Sequence, residues 1–107
     1  MVIRELVLLK YGNKCAYCGD SITITNFHVD HIQPKKGVVK GENKIDNYNP
    51  ACCSCNCSKS NLTVSEWREK LQTRFTQLEE NTPYRILKRL GKIKENEKPI
   101  TFYFETL

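Results

Sequence analysis

The sequence predicts a small α+β fold: a strand–strand–helix core bracketed by two cysteine pairs, with a helix before it and two helices and a strand after it. Three observations carry this reading. "CAYC" and "CCSC" place Cys15, Cys18, Cys52 and Cys55 in two C-x-x-C pairs. "NFHVDHIQP", at 26–34, has the look of a strand, with Phe27, Val29 and His31 on one face and His28, Asp30 and Ile32 on the other. "TVSE" is a capping box that opens a long amphipathic helix. The 107 residues suit a single domain over 1–107, with its core at about 15–60 and an extension at about 61–107.

The elements follow in order. Residues 2–11 read as a helix whose stripe is Ile3, Leu6, Val7 and Tyr11, ended by Gly12 and Asn13. A cysteine knuckle at 15–18 comes next, and Gly19 suits the positive φ of its turn. A short extended segment at 22–25 leads into the strand at 27–32. Residues 33–46 form a polar loop rich in Lys and Gly, and "NYNPAC" is a second strand ending near Pro50. A helix runs from about Cys53 to Ser60. In the helix that Thr63 and Glu66 open, Val64, Trp67, Leu71, Phe75 and Leu78 recur at helical spacing and read as core. Thr82 caps a further helix, with Pro83 in its first turn and Gly91 at its stop. "PITFYFETL" alternates Ile100, Phe102 and Phe104 against Thr101, Tyr103 and Glu105, the pattern of a half-buried strand, with "KIK" at 92–94 as its candidate partner.

Composition narrows the function. A formal net charge of +5 permits a polyanionic partner, and no apolar run is long enough to span a bilayer. The N-terminal apolar stretch carries Arg4 and Glu5 and lacks a small-residue cleavage site, so it reads as a helix rather than a signal peptide, and a cytoplasmic setting is the expectation. In that setting two C-x-x-C pairs a few dozen residues apart form a four-thiolate structural zinc site, with two disulfides as the alternative. Cys53 and Cys57 are left over, as small buried residues or free thiols, although Cys53 could compete with Cys52.

Neither face of the 27–32 strand is cleanly apolar, so packing explains it poorly. A zinc joining the two pairs draws that strand toward the helix after Cys55, so that Asn56 comes to face Asp30. A carboxylate and an amide oxygen suit Mg²⁺ or Mn²⁺. His31, adjacent, is better used as a base than as a ligand to such an ion.

These residues resemble the HNH endonucleases, nucleases with a ββα-metal core. The matched pattern is "CAYCG", "VDHIQP", "NYNPACCSCN" and Lys59 in "NCSK", from Cys15 to Lys59, under half of the chain. The zinc-bracketed form is similar to small phage and prophage members, including endonucleases that resolve DNA junctions. The resemblance implies that Asp30 is the first metal ligand and His31 the general base. It makes Asn47 the central Asn that pins the loop and orients the base, and Asn56 the second metal ligand. It places Lys59 one helical turn further on, against a phosphate. It also implies a metal-dependent endonuclease or nickase that hydrolyses DNA phosphodiester bonds, with His31 taking a proton from water and one divalent cation neutralising phosphoryl charge. One site suffices for a nick, and cutting both strands needs a homodimer or two visits. A phage or host protein partner fits the likeness to phage proteins, and RNA cleavage stays open.

The other polar residues have plainer alternatives. His28 is either a contact to the phosphate or the metal or, on the plainer reading, an exposed polar strand position. Lys35, Lys36, Lys40 and Lys44 are either phosphate contacts or a solvated loop, and the same choice holds for Lys88, Arg89, Lys92 and Lys94. The rival to a nuclease is a non-catalytic zinc-stabilised module that binds DNA or a protein. Such a module has no need of Asp30, His31 and Asn56 together.

Overall fold

The computed structural model describes residues 2–36 and 39–107. Met1, and Gly37 and Val38 of the predicted polar loop, lie outside the described residues. Helix α1 spans Ile3–Leu9, strand β1 His28–His31, strand β2 Tyr48–Ala51, and helices α2, α3 and α4 span Cys53–Lys59, Val64–Gln77 and Thr82–Arg89. Short 3₁₀ turns occupy Ile45–Asn47, Leu78–Glu80 and Tyr103–Thr106. β1 and β2 pair antiparallel, with Asp30 opposite Asn49 and His31 opposite Tyr48. Among the described residues the architecture is therefore small α+β, with a two-stranded sheet and four helices.

Two strands cannot bury a face by themselves, and the core here forms where the first knuckle meets everything else. Cys15, Ala16 and Tyr17 are buried with Val7 and Leu8 of α1, Phe27, Ala51, Trp67 of α3 and Phe102. The Tyr17 ring meets Trp67, Phe102 and Phe104 edge-on, at centroid distances of 5.1, 5.5 and 5.7 Å, and Trp67 stacks on Phe102 at 4.6 Å. Each such pair adds about 0.5–1.5 kcal/mol beyond area burial. Gly19 has φ +78°, as the knuckle turn requires, and a Cβ there would lie 3.2 Å from the Tyr103 ring.

Several expectations are corrected. The C-terminal segment is not a strand: among the described residues it has no sheet partner, and it closes in a 3₁₀ turn. The reason is that its backbone donors are taken by the knuckle, Tyr103 N–H on the Tyr17 carbonyl at 3.0 Å and Phe104 N–H on the Ala16 carbonyl at 2.8 Å. Glu105 then accepts from the Phe102 N–H at 2.9 Å and pairs with Arg68. Its inward side chains do turn in, with Phe102 buried and Ile100 and Phe104 half-buried, but the alternation is incomplete because Tyr103 is half-buried as well. Residues 23–26 make a turn rather than an extended run, held by Asn26 N–H on the Thr23 carbonyl at 3.1 Å.

The α1 stripe is also displaced, because Val7 and Leu8 are buried while Ile3 and Leu6 are exposed. The capping box at Thr63 and Glu66 is present, and Trp67 is buried. Phe75 and Leu78 are nevertheless 38% and 40% exposed, because the second half of α3 runs beyond the core toward α4. Asn81, not Thr82, caps α4, its side chain accepting from the Tyr84 N–H at 2.9 Å.

Candidate active site and thiolate cluster

The two cysteine pairs converge. Cys15 and Cys18 sit on the knuckle after α1, Cys52 is the N-cap of α2 and Cys55 lies in its first turn. The four sulfurs lie within 4.8 Å of one another, with Cys18 and Cys52 at 3.8 Å. A tetrahedral ion with metal–sulfur bonds of about 2.3 Å separates its ligands by about 3.8 Å, so the cluster fits a metal such as zinc. Backbone amides steer the sulfurs: Cys52 N–H points at the Cys15 Sγ (3.3 Å) and Cys55 N–H at the Cys52 Sγ (3.4 Å). Hydrogen bonding from the Cys55 thiol draws Cys15 down to about 4, against the effect of burial, and the same contact pushes Cys55 far up. Burial raises Cys18 to about 11. A bound metal would take the four sulfurs as thiolates and displace their protons.

β1 and α2 meet over a cavity of about 210 Å³ lined by Val29, Asp30, His31, Pro34, Lys35, Lys36, Asn56, Ser60 and Asn61. Asp30, His31 and Asn56 therefore meet in one place. Lys35 and Lys36 are exposed at its rim, whereas Lys40 and Lys44 belong to a separate surface hollow with Gln33 and Asn47.

Asp30 is only 4% exposed. Its Oδ2 accepts from the Tyr17 hydroxyl, and the Lys59 ammonium lies 3.3 Å from Oδ1 and 3.2 Å from Oδ2. Burial pushes the Asp30 carboxyl above its ordinary range, against the pull of Tyr17 and Lys59. Burial, with the adjacent carboxylate, pushes the Tyr17 phenol up as well, which keeps it a proton donor. A carboxylate offers about four lone-pair sites; these three contacts leave one, and Asn56 lines the same cavity.

Lys59 corrects the expectation of a phosphate contact. It is 0% exposed, and its ammonium goes to Asp30 and, at 2.9 Å, to the His31 carbonyl. The pattern "NCSK" placed it one turn past Asn56, but its side chain turns back onto β1.

His31 Nε2 lies 2.9 Å from Asn43 Oδ1. With that oxygen accepting, Nε2 carries the proton and Nδ1 is left as the basic nitrogen. Its ring also packs edge-on against Tyr48 at 5.0 Å. Asn47 ties the loop behind it: Oδ1 accepts from Gln33 N–H at 2.8 Å, and Nδ2 donates to the Gln33 and Glu42 carbonyls at 3.0 and 2.9 Å. Gly41 permits this closure, since a Cβ there would fall 1.7 Å from the Gln33 carbonyl oxygen.

Sequence reasoning missed Tyr17, Asn43 and Asn49. Asn49 is buried opposite Asp30, accepts from the Tyr11 hydroxyl at 3.3 Å, and reaches the Tyr17 hydroxyl with its Nδ2 at 3.4 Å. Tyr17 had a signal, its place between two cysteines of a knuckle that must point inward. Asn43 had none, because a polar residue in a polar loop is the default.

The site is thus a strand–strand–helix unit with an Asp–His pair on its first strand and four converging thiols beside it. Residues 15–62 match the family model described as HNH endonuclease. The chain is 33% identical to YoqL of Bacillus subtilis (strain 168), whose name designates it a SPbeta prophage-derived HNH endonuclease, over 79% of this chain and 35% of that one. It is 41% identical to the CRISPR-associated endonuclease Cas9 of Corynebacterium diphtheriae, over 50% of this chain and 5% of that one. Among solved structures, the Type II-C Cas9 enzyme from Actinomyces naeslundii superposes with a TM-score of 0.57 at 29% identity, covering 84% of this chain and 12% of that one. The chain thus spans about a third of YoqL and a small part of each Cas9. It contains an HNH endonuclease-family domain, homologous to those of a prophage HNH endonuclease and of Cas9. No helix among the described residues is long and apolar enough to cross a membrane.

Proposed function

We propose that this protein is a metal-dependent endonuclease that nicks DNA, with His31 as general base and one divalent cation, Mg²⁺ or Mn²⁺, held by Asp30 and Asn56. The observation that carries the proposal is the cavity that gathers Asp30, His31 and Asn56 within a domain of the HNH family. When bound, the cation would draw charge from the phosphoryl and leaving oxygens.

The chain's own residues supply the rest. Nδ1 of His31 accepts the proton of the attacking water, while Nε2 stays donated to Asn43. Asn47 holds the loop that carries both Gln33 and Asn43, so it orients the base without touching the substrate. Lys35 and Lys36, at the rim, meet the DNA backbone. Tyr17 and Lys59 hold the Asp30 carboxylate in place. In this reading the chain works as a single nuclease domain in the cytoplasm, the four cysteines hold zinc, and zinc is structural only.

The test is incubation of the protein with supercoiled plasmid and with branched DNA, in Mg²⁺ or Mn²⁺, beside His31→Ala. The expected result is nicking by the wild type, and a rate lower by roughly 10²–10⁴-fold for the variant, with zinc content and DNA affinity kept. Binding without cleavage, or a His31→Ala protein that nicks at the wild-type rate, would overturn the proposal.

A further inference from the structure

Cys53 and Cys57 stand apart from both the cluster and the cavity. They lie one turn apart on α2, both exposed, with sulfurs 3.9 Å from each other. Neither belongs to the set of four sulfurs that converge within 4.8 Å. They are not buried spacers; beyond staying as free thiols, such a pair has two fates, a disulfide or a shared ion.

Geometry separates the two. A disulfide needs its Cβ atoms about 3.5–4.5 Å apart. Residues at i and i+4 of a helix hold theirs at about 5–6 Å, so closing the bond would distort α2. An ion asks for no such movement. Two thiolates sharing an ion at about 2.3 Å with a near-tetrahedral angle stand about 3.8 Å apart, close to the 3.9 Å observed and to the 3.8 Å between Cys18 and Cys52 in the cluster.

We propose that Cys53 and Cys57 form a second thiolate site, separate from the four-cysteine cluster, that binds one thiophilic divalent ion of the zinc and cadmium class, with water in its remaining positions. The exposed position makes the ion exchangeable. α2 has only seven residues, too few to be stable alone, and the ion would staple the turn that bears Asn56.

The experiment uses the purified protein with its cluster metal in place and Cd²⁺ as the probe. Cadmium retained after dialysis, and the thiolate-to-cadmium absorption, are measured for the wild type and for Cys53→Ser/Cys57→Ser. Exchange of cadmium into the cluster is common to both proteins, so the difference reports the pair. The wild type is expected to retain one more equivalent than the variant. A second measurement needs no variant: Cd²⁺ should suppress iodoacetamide alkylation of Cys53 and Cys57 in the wild type, read by peptide mass. Equal cadmium uptake by the two folded proteins, alkylation indifferent to Cd²⁺, or a Cys53–Cys57 disulfide in air-purified protein would overturn the proposal.

Discussion

The Tyr17 hydroxyl donates to the Asp30 carboxylate, so a residue of the first cysteine knuckle holds the carboxylate of the cavity. Tyr17 is 3% exposed and lies between Cys15 and Cys18. The thiolate cluster and the proposed cation site are thereby mechanically joined. Tyr17→Phe keeps the ring packing and removes only the hydroxyl. A hydrogen bond to a charged group is worth about 1.5–3 kcal/mol, so the apparent affinity for Mg²⁺ in a rate titration should fall about 10–100-fold, with zinc content unchanged. An unaltered metal dependence would show that the hydroxyl does not position Asp30.

Lys59 tests the corrected assignment. Lys59→Met leaves the Asp30 carboxylate buried without its counter-charge, and denaturant titration should show a loss of about 3–5 kcal/mol. Asp30→Asn/Lys59→Met should recover much of that stability while remaining inactive. Were Lys59 a phosphate contact, the single variant would keep its stability and weaken DNA binding instead.

Removing the cluster metal should unfold the core, because structural zinc in small domains contributes about 10–16 kcal/mol of apparent binding free energy. Metal analysis should find zinc in protein purified without added metal. Circular dichroism during chelation should then show loss of structure as the zinc leaves, and Cys15→Ser should mimic this. A folded, zinc-free protein would rule out the structural role.

Asn43→Ala removes the acceptor at His31 Nε2. A lost hydrogen bond of about 1 kcal/mol corresponds to a rate reduced by up to about tenfold. The change should appear in kcat rather than in DNA affinity, as single-turnover kinetics would separate.

Glu105 gives a pH dependence outside the cavity. Burial pushes its carboxyl up, but the Phe102 N–H and the Arg68 guanidinium outweigh burial and hold it below the usual carboxylate range. A depressed carboxylate stabilises the fold above its unfolded value and loses that contribution as pH falls through the folded one. Glu105→Gln should therefore melt lower than wild type at neutral pH, by a partly exposed pair's roughly 1 kcal/mol or less. The gap should narrow as pH drops below about 4.5. A gap independent of pH would exclude the charge as its cause.

Local signals in the chain were strong wherever one residue type answers one physical demand. Each C-x-x-C pair brings its two sulfurs to one cluster, "TVSE" closes a capping box, Gly19 and Gly91 take a positive φ, and "VDH" puts an acid and an imidazole at a strand end. Each of these is decided within four residues. The C-terminal alternation also placed Ile100, Phe102 and Phe104 inward, yet missed Tyr103 and misread the backbone. Period-2 burial needs only an extended chain, whereas a strand needs a partner, and the partner's place was taken by the carbonyls of Ala16 and Tyr17.

What only the tertiary structure decided is the company each polar group keeps. The sequence by itself determined the cysteine framework, the order of the elements and the presence of Asp30, His31 and Asn56. It did not determine that Lys59 turns inward onto Asp30, that Tyr17 donates to the same carboxylate from a knuckle 13 positions earlier, or that Cys53 and Cys57 face outward together. Helical spacing says which residues share a face, but the direction of that face depends on what the helix packs against. α2 is anchored at its start by Cys52 and Cys55. That anchorage sets its rotation, and the rotation sends an ammonium into the core and leaves two thiols in solvent.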